Sequence, residues 1–191
     1  MNLEIIKSGK DVPNHVNVVI EIAMDSQNPI KYEIDKESST IFVDRFIATS
    51  MRYPCNYGFI PHTLSEDGDP IDVLVISDFP VIPGVVIESK PIGVLIMEDE
   101  KGKDEKIIAV PVKKLNSIYS DFNSIKDVPK SLLNKITHFF ERYKDLEEGK
   151  WAKITGFKDV KVAKELILDS VNRHNEQHTI DIIHDQSVDL D

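Results

Sequence analysis

Three carboxylates crowd one short stretch of the chain, "LSEDGDPIDVLVI" at residues 64–76, where Asp67, Asp69 and Asp72 lead into an apolar run. The Asp-Gly and Asp-Pro pairs within it predict a turn, because glycine tolerates positive φ and proline fixes its own φ. The turn does not account for the charge, since the three carboxylates would converge and repel one another without a cation. The stretch therefore predicts a site that collects positive charge.

A second acidic turn, "MEDEKGKDEK", offers Asp99 and Asp104 and ends at Lys106. A charged hairpin loop that is merely solvated is the alternative for this turn alone. Two such turns suggest one site, and oxygen ligands without a nearby cysteine select a hard ion such as Mg²⁺, with Mn²⁺ as a substitute. A lone histidine before a turn, such as His62, is usually structural. The spacing does not fit an EF-hand, because its glycine position holds Asp72.

Cationic and phenolic side chains recur at strand and helix positions around these carboxylates. Each of them alone has an ordinary structural explanation, such as an ion pair or a core aromatic residue. Together they describe a site that binds a multiply charged phosphate compound through Mg²⁺ on one side and through Lys, Arg and Tyr donors on the other. They are Lys31, Arg45, Tyr53, Tyr57, Lys106, Tyr143 and Lys144.

The elements that must position these groups are short strands first and helices last. Alternating or continuous apolar runs without helical periods between them predict an antiparallel β-barrel rather than a parallel α/β sheet. The runs lie at residues 16–22, 31–35, 40–46, 71–76, 84–90, 92–97 and 106–112. An i, i+3, i+4 stripe predicts a helix over residues 129–149, and a second helix is expected over residues 160–174 after an Asp159 cap.

Composition narrows the classes of function. The 191 residues suit one domain, and the net charge of −10 disfavours nucleic acid or an anionic membrane as the main partner. The single cysteine, Cys55, cannot form an internal disulfide, which favours a reducing compartment. The N-terminus lacks the apolar core of a signal peptide, and the sequence has no run of eighteen apolar residues. We therefore expect a cytoplasmic protein.

The motif DGDPIDV at residues 67–73 resembles the signature of the soluble family I inorganic pyrophosphatases of bacterial type. The similarity continues through "PIKYEID", "FVDRF", "YPCNYGFIP", "IGVLIMEDE", "KIIAVP" and "HFFERYKDLEEGKW" and ends near residue 172. Ala23 and Arg52 depart from the family pattern at positions that are not family ligands. The resemblance implies a five-stranded OB-type antiparallel β-barrel flanked by two C-terminal helices. Residues 1–175 would form the single pyrophosphatase domain, and residues 176–191 an acidic, mobile extension.

The resemblance also implies roles for the residues. Pyrophosphate would be hydrolysed to two orthophosphates by a metal-activated water, with Asp69 as general base and no covalent intermediate. Several Mg²⁺ ions would be held by Asp67, Asp72, Asp99 and Asp104, with Mn²⁺ a possible substitute and Ca²⁺ inhibitory. Lys31, Arg45 and Tyr57 would be catalytic as well as substrate-binding, and the other substrate-binding residues would be Glu33, Lys106, Tyr143 and Lys144. Glu21 and Tyr53 would be additional active-site residues, and the chain would form a homohexamer, a dimer of trimers.

Two other classes of function remain open at this point. Another Mg²⁺-dependent phosphoesterase, or a nucleotide-sugar transferase, would also use an Asp-x-Asp pair. Against the transferase, this chain has no Gly-rich strand-to-helix turn to hold a nucleotide. An OB-type module could bind single-stranded nucleic acid, but that function requires a basic groove with stacking aromatic residues. A negatively charged chain is a poor candidate for it.

Overall fold

The computed structural model describes residues 2–188, and within them it contains nine strands and two α-helices. The strands are β1 (Val16–Ile22), β2 (Ile30–Ile34), β3 (Ile41–Phe46), β4 (Asn56–Phe59), β5 (Asp72–Val75), β6 (Val86–Asp99), β7 (Gly102–Lys103), β8 (Lys106–Pro111) and β9 (Ala152–Asp159). The helices are α1 (Lys130–Arg142) and α2 (Val160–Val188). No helix in this part of the chain has both the length and the apolar character needed to cross a membrane.

Five strands close into a ring in the order β1-β4-β5-β8-β6, and β6 pairs back with β1. This ring confirms the predicted barrel. One pairing differs from the expected antiparallel pattern, because β5 and β8 run parallel. The chain reverses direction between β5 and β6 and again between β6 and β8, so β8 regains the direction of β5 when it pairs with it. Strands β2 and β3 form a separate two-stranded sheet.

The strand predictions were incomplete, because two predicted runs form one strand and because β4, β7 and β9 were not predicted. The runs 84–90 and 92–97 belong to the single strand β6, whose register with β8 shifts between Pro91 and Gly93 and so accommodates the proline. Strand β4 was not predicted, because its sequence "NYGF" is short and contains a glycine, which weakens a strand pattern. Gly58 lies so close to β1 that an added Cβ would sit 1.9 Å from the Val19 carbonyl oxygen. Glycine is therefore the only residue that fits at this position.

Alternate residues of the barrel strands face two apolar clusters, as the two-residue period of a strand requires. On β5, Leu74 belongs to the cluster that includes Phe139 and Phe140 of α1. Its neighbours Val73 and Val75 belong to the cluster that includes Ala163 and Ile167 of α2. The helices therefore stabilise opposite faces of the strand that follows the first acidic turn.

Helix α2 begins at Val160, where the sequence predicts, and the Asp159 carboxylate accepts a hydrogen bond from the Val160 N–H across 2.8 Å. It ends at Val188 rather than near residue 174. Residues 160–188 contain neither glycine nor proline, so no residue type breaks the helix. Helix α1 ends earlier than expected, at Arg142. The last three residues of the expected extension, 189–191, lie outside the described residues, and its mobility stays a prediction.

Candidate active site

The first acidic turn is built by its own backbone. The Ser65 N–H donates to the Asp69 carbonyl oxygen across 2.7 Å, and Gly68 has φ +89°, a value that favours glycine. The Asp69 N–H donates to Asp67 Oδ1 across 3.1 Å, which fixes the Asp67 carboxylate over the turn. Asp72 follows as the first residue of β5. The turn thus presents Asp67 and Asp69 beside the mouth of the barrel.

The parallel pairing of β5 with β8 brings Asp72 beside Lys106, the first residue of β8. The Lys106 ammonium lies between the carboxylates of Asp72 and Asp104 and contacts both. Burial alone would lower the pKa of Lys106, but these two carboxylates raise it well above its ordinary value. Lys106 is therefore a permanent cation within an acidic cluster, although it is only 3% exposed.

The second acidic turn meets the first one, as the sequence predicts. Asp99 ends β6, and its Oδ2 accepts a hydrogen bond from Lys144 Nζ across 2.8 Å, just beyond the end of α1. Lys144 and Lys150 also contact Glu100, at 3.2 and 2.6 Å. Burial raises the pKa of Glu100, but hydrogen bonds from the two lysines outweigh it and lower that pKa to about 2. Glu100 is therefore ionised at neutral pH.

The sheet of β2 and β3 supplies further cations. Lys31 pairs with Arg45 across the two strands, and Asp44 is the extra residue of a β-bulge at this point. The bulge lets the Asp44 carboxylate contact both neighbours, Arg45 at 2.8 Å and Lys31 at 3.3 Å. Arg45 also donates from Nε to Glu147 across 3.1 Å. Lys31 and Arg45 are thereby held side by side, and Glu33 stands next to them on β2.

All but one of the predicted site residues line a single cavity of about 250 Å³. They are Lys31, Glu33, Arg45, Tyr53, Tyr57, Asp67, Asp69, Asp72, Asp99, Asp104, Lys106, Tyr143 and Lys144. Glu21 instead lines an adjoining cavity of about 70 Å³, where its Oε1 accepts a hydrogen bond from the Ile34 N–H across 2.9 Å. Burial raises the pKa of Glu21 to about 8.

Three phenols face the cavity. Tyr53 and Tyr57 lie with ring centroids 5.0 Å apart, and Tyr143 stands at the end of α1. Burial raises the pKa of each phenol above its ordinary value. The three hydroxyl groups therefore stay protonated at neutral pH and remain available as hydrogen-bond donors.

Four charged residues of this cavity were not singled out in the sequence: Asp44, Glu100, Lys101 and Lys150. Asp44 alternates with Arg45 on β3, so a regular strand would have placed the two on opposite faces. Only the bulge brings both to the cavity. Lys150 gave no periodic signal, because it lies in the irregular segment between α1 and β9. Lys101 and Glu100 belong to an acidic turn that the sequence did identify.

The donor set of the cavity fits a hard divalent ion. Asp67, Asp72, Asp99 and Asp104 offer carboxylate oxygens only, the ligands that Mg²⁺ prefers. Burial first, and neighbouring carboxylates in addition, raise the pKa values of Asp67 and Asp104, and a bound cation would relieve that repulsion. Within residues 2–180, no three His, Cys, Asp or Glu side chains are already arranged around one ion position. The Lys106 ammonium occupies the space between two of the carboxylates.

Comparison with known proteins agrees with this geometry. The family model described as inorganic pyrophosphatase matches residues 18–175. An inorganic pyrophosphatase of Mesorhizobium japonicum is 55% identical over 91% of this chain and 97% of its own length, and one of Rickettsia bellii is 58% identical over 84% and 91%. The structure of an inorganic pyrophosphatase from Coxiella burnetii superposes with a TM-score of 0.85 at 50% identity, over 88% of this chain and 99% of that one. The chain belongs to the inorganic pyrophosphatase family, the hydrolases that cleave pyrophosphate into two orthophosphates.

Proposed function

We propose that the 250 Å³ cavity is the site of pyrophosphate hydrolysis and that Mg²⁺ is the metal of this enzyme. The family is divalent-metal dependent. One observation carries the proposal: carboxylates at the mouth of the barrel and Lys, Arg and Tyr donors line one cavity large enough for a small polyanion. This combination matches the needs of a substrate that is a metal-bound polyanion.

Asp67, Asp72 and Asp104 are the proposed first ligands, with Asp99 beside them. When bound, the divalent ions would neutralise substrate charge and lower the pKa of a coordinated water. The chain's own part is to keep these carboxylates ionised and close together. Lys106 performs that task between Asp72 and Asp104, and its ammonium is then in place to turn toward a phosphoryl oxygen.

Asp69 is the proposed general base. Its side chain is 47% exposed and contacts Lys36 across 3.0 Å, so it differs from Asp72, which contacts the buried Lys106. Asp69 therefore stands at the edge of the carboxylate cluster with an oxygen that can accept a proton from water. The hydrogen bond from the Asp69 N–H to the Asp67 carboxylate fixes the position of the proposed base relative to the nearest proposed metal ligand.

The proposed phosphate-binding wall is made of Lys31, Arg45, Tyr57, Lys106, Tyr143 and Lys144. Lys106 and Lys144 lie directly beside the carboxylates, Lys106 in contact with Asp72 and Asp104, and Lys144 2.8 Å from Asp99. Lysine and arginine would bind the equatorial oxygens and stabilise the charge on the leaving phosphate. Attack by a metal-activated water without a covalent intermediate is the proposed mechanism, with the lining aspartates acting as ligands and as the base rather than as nucleophiles.

The proposal includes a homohexamer in the cytoplasm. Phe42, Phe46, Phe79 and Ile82 are 54 to 74% exposed, which supports association through apolar contacts. Cys55 is a buried free thiol, in keeping with a reducing compartment. Sedimentation of the full chain at several concentrations would test the hexamer, and a monomer at micromolar concentration would contradict it.

The activity is tested by release of orthophosphate from pyrophosphate, measured beside ATP and a nucleotide sugar. We expect pyrophosphate to be hydrolysed much faster than the other two compounds. Exhaustive chelation should abolish the activity, and adding Mg²⁺ should restore it. Ca²⁺ should inhibit, because it prefers more ligands at longer distances than Mg²⁺. Faster cleavage of ATP or of a phosphate ester would favour the alternative, a broader Mg²⁺-dependent phosphoesterase.

A further inference from the structure

Three of the chain's six histidines lie close together beside the segment that leads into the first acidic turn, and none of the three lines the candidate active site. His62 precedes the turn, and its Nδ1 lies 3.3 Å from Nε2 of His174 on α2. His178 follows one helical turn later, with its ring parallel to that of His174 and the two centroids 6.3 Å apart. The proposed hydrolysis uses none of these imidazoles.

The distance between the two facing nitrogens matches a pair of metal ligands. Two nitrogens that each lie about 2.0–2.1 Å from a tetrahedral ion are about 3.3 Å apart. The same 3.3 Å lies within hydrogen-bonding range, so in the metal-free protein one ring donates to the other, and a bound ion would take the place of the shared proton. The ring planes of His62 and His174 are inclined by 57°, so the two rings meet at these nitrogens and are not stacked.

The backbone holds the two rings in this relation. His62 has φ +53°, a left-handed conformation that non-glycine residues seldom adopt and that is often associated with functional sites. The next residue, Thr63, is fixed by bonds from its hydroxyl to the Ile60 carbonyl oxygen and from the Ile71 N–H to its hydroxyl. Leu64 donates its N–H to the Ser170 carbonyl oxygen of α2 across 2.9 Å. Both ligand-bearing segments are thus pre-organised.

The charges around the pair permit a cation. A neighbouring cavity of about 260 Å³ is lined by His62 and His174 together with Glu4 and Lys36, and the Lys36 ammonium is already paired with Asp69. Burial, followed by His62 and His178, lowers the pKa of His174 below its ordinary value. His174 therefore remains largely neutral at pH 7, the form in which imidazole binds metal.

We propose that His62 and His174 bind one transition-metal ion of the borderline class, Zn²⁺ being the type case, with His178 as the third ligand after its exposed side chain turns. Because no three such side chains within residues 2–180 are preset around one ion position, binding requires this rotation of His178. Imidazole nitrogens select Zn²⁺, Ni²⁺ or Cu²⁺ over Mg²⁺, so the site differs in chemistry from the carboxylate cluster. An ion there would tie α2 to the segment that leads into Asp67.

The test uses the full-length protein with saturating Mg²⁺, which occupies the carboxylate cluster. Zn²⁺ binding is measured by calorimetry for wild type, His62→Ala, His174→Ala and the control His138→Ala, which removes an exposed histidine of α1. We expect about one Zn²⁺ equivalent in wild type and in the control, and at least about a tenfold loss of affinity in the other two variants, since even indirect ligand contacts are worth that much.

Cu²⁺ provides a second readout that does not depend on activity. Its electron paramagnetic resonance spectrum should show nitrogen splitting from at least two imidazoles in wild type and weaker splitting in His174→Ala. Equal Zn²⁺ affinity of wild type and His174→Ala would overturn the proposal, as would a copper spectrum without nitrogen splitting. His174→Ala is the decisive variant because it lies on a half-exposed helix face and should leave the fold intact. Both readouts are independent of whether the proposed hydrolysis is correct.

Discussion

Arg173 joins α2 to the first acidic turn, because its Nε donates to the Leu64 carbonyl oxygen across 2.8 Å. Leu64 in turn donates its N–H to the Ser170 carbonyl oxygen, and a second guanidinium nitrogen of Arg173 reaches the Ser170 hydroxyl at 3.2 Å. Leu64 stands three residues before Asp67. The helix therefore fixes the point from which the turn projects its carboxylates.

Replacing Arg173 with alanine should impair the turn without removing any group that touches substrate. A hydrogen bond from a charged donor contributes about 1.5–3 kcal/mol, so we expect Mg²⁺ affinity or kcat to fall by about tenfold or more. The KM for pyrophosphate should change little, since the phosphate-binding wall lies elsewhere. Calorimetric titration with Mg²⁺ and steady-state kinetics measure the two effects separately.

Two matched variants complete this experiment. Arg173→Lys keeps the charge but loses the planar donor, and it should recover only part of the Mg²⁺ affinity. Arg142→Ala removes an exposed arginine that pairs with Asp145 at 3.6 Å, and it should behave as wild type. If Arg173→Ala and Arg142→Ala have the same Mg²⁺ affinity and the same kcat, the clamp on Leu64 does not position the turn.

Lys106 should stabilise the metal-free protein by compensating Asp72 and Asp104. In Lys106→Met, two partly buried carboxylates lose their cation, and breaking a buried pair costs about 3–5 kcal/mol. Added Mg²⁺ should raise the Tm of this variant more than that of wild type, because the ammonium no longer competes for the same oxygens. Thermal unfolding with and without Mg²⁺ measures both effects.

The control for this prediction is Lys135→Met. It removes an exposed ion pair, in which Lys135 Nζ lies 3.1 Å from Asp25 Oδ1. Its effect on stability should lie within about 1 kcal/mol. A Lys106→Met protein that is as stable as Lys135→Met without metal would mean that the acidic cluster does not depend on the ammonium.

The buried Glu21 predicts a pH dependence of stability in the metal-free protein. Its pKa is about 8 in the native state against an ordinary 4.5, so between these values the native protein keeps a proton that the unfolded chain has released. Its contribution is therefore complete below about pH 4.5 and is lost as pH rises toward about 8, by at most about 1.4 kcal/mol per pH unit. Glu21→Gln cannot ionise and should remove this slope while its carbonyl still accepts from Ile34. Urea unfolding at several pH values measures the free energy of unfolding of wild type and of Glu21→Gln. If this free energy depends on pH equally in both proteins, Glu21 ionises normally.

The elements of this fold were predictable where one physical signal dominated. Alternation identified β1, and the i, i+3, i+4 stripe identified α1, because each reports burial on one face. Strand β4 was missed because Gly58 is selected by the close approach of the β1 backbone, a contact between distant parts of the sequence. The parallel pairing of β5 with β8 was missed for the same reason, since it depends on the order in which the chain reverses.

Most residues of the candidate site could be named from the sequence, from the charge of two acidic turns and from the resemblance to the pyrophosphatases, and their roles stay predictions. Carboxylates beside an apolar strand require a cation, which led from Asp67 and Asp69 to Asp99 without any coordinates. Asp44 was beyond that reasoning, because a β-bulge turned it toward Arg45. The pairing of His62 with His174 was equally hidden, since it joins residues 112 positions apart. Clusters of charge within one short segment are visible in a sequence, whereas contacts between residues far apart in the sequence appear only in the folded chain.

The roles proposed within the first acidic turn predict different behaviour for its three aspartates. Asp67→Asn and Asp72→Asn should mainly weaken metal binding, so higher Mg²⁺ should restore part of their activity. Asp69→Asn should lose a factor of about 10² to 10⁴ in kcat, as expected for loss of a general base. Extra Mg²⁺ cannot replace a proton acceptor, so this variant should not recover at neutral pH.

The pH profile separates the base from the ligands more sharply than turnover does. Higher pH supplies hydroxide directly, so the activity of Asp69→Asn alone should shift to the alkaline side. We would measure turnover of the three variants against both Mg²⁺ concentration and pH, with the metal affinity of each variant determined independently by calorimetry. Asp69→Asn should bind Mg²⁺ nearly as wild type does, because its carboxylate contacts Lys36 at the edge of the cluster. Recovery of Asp69→Asn by Mg²⁺ at neutral pH would instead make Asp69 a metal ligand, and the proton acceptor would then have to be sought among the other carboxylates of the cavity.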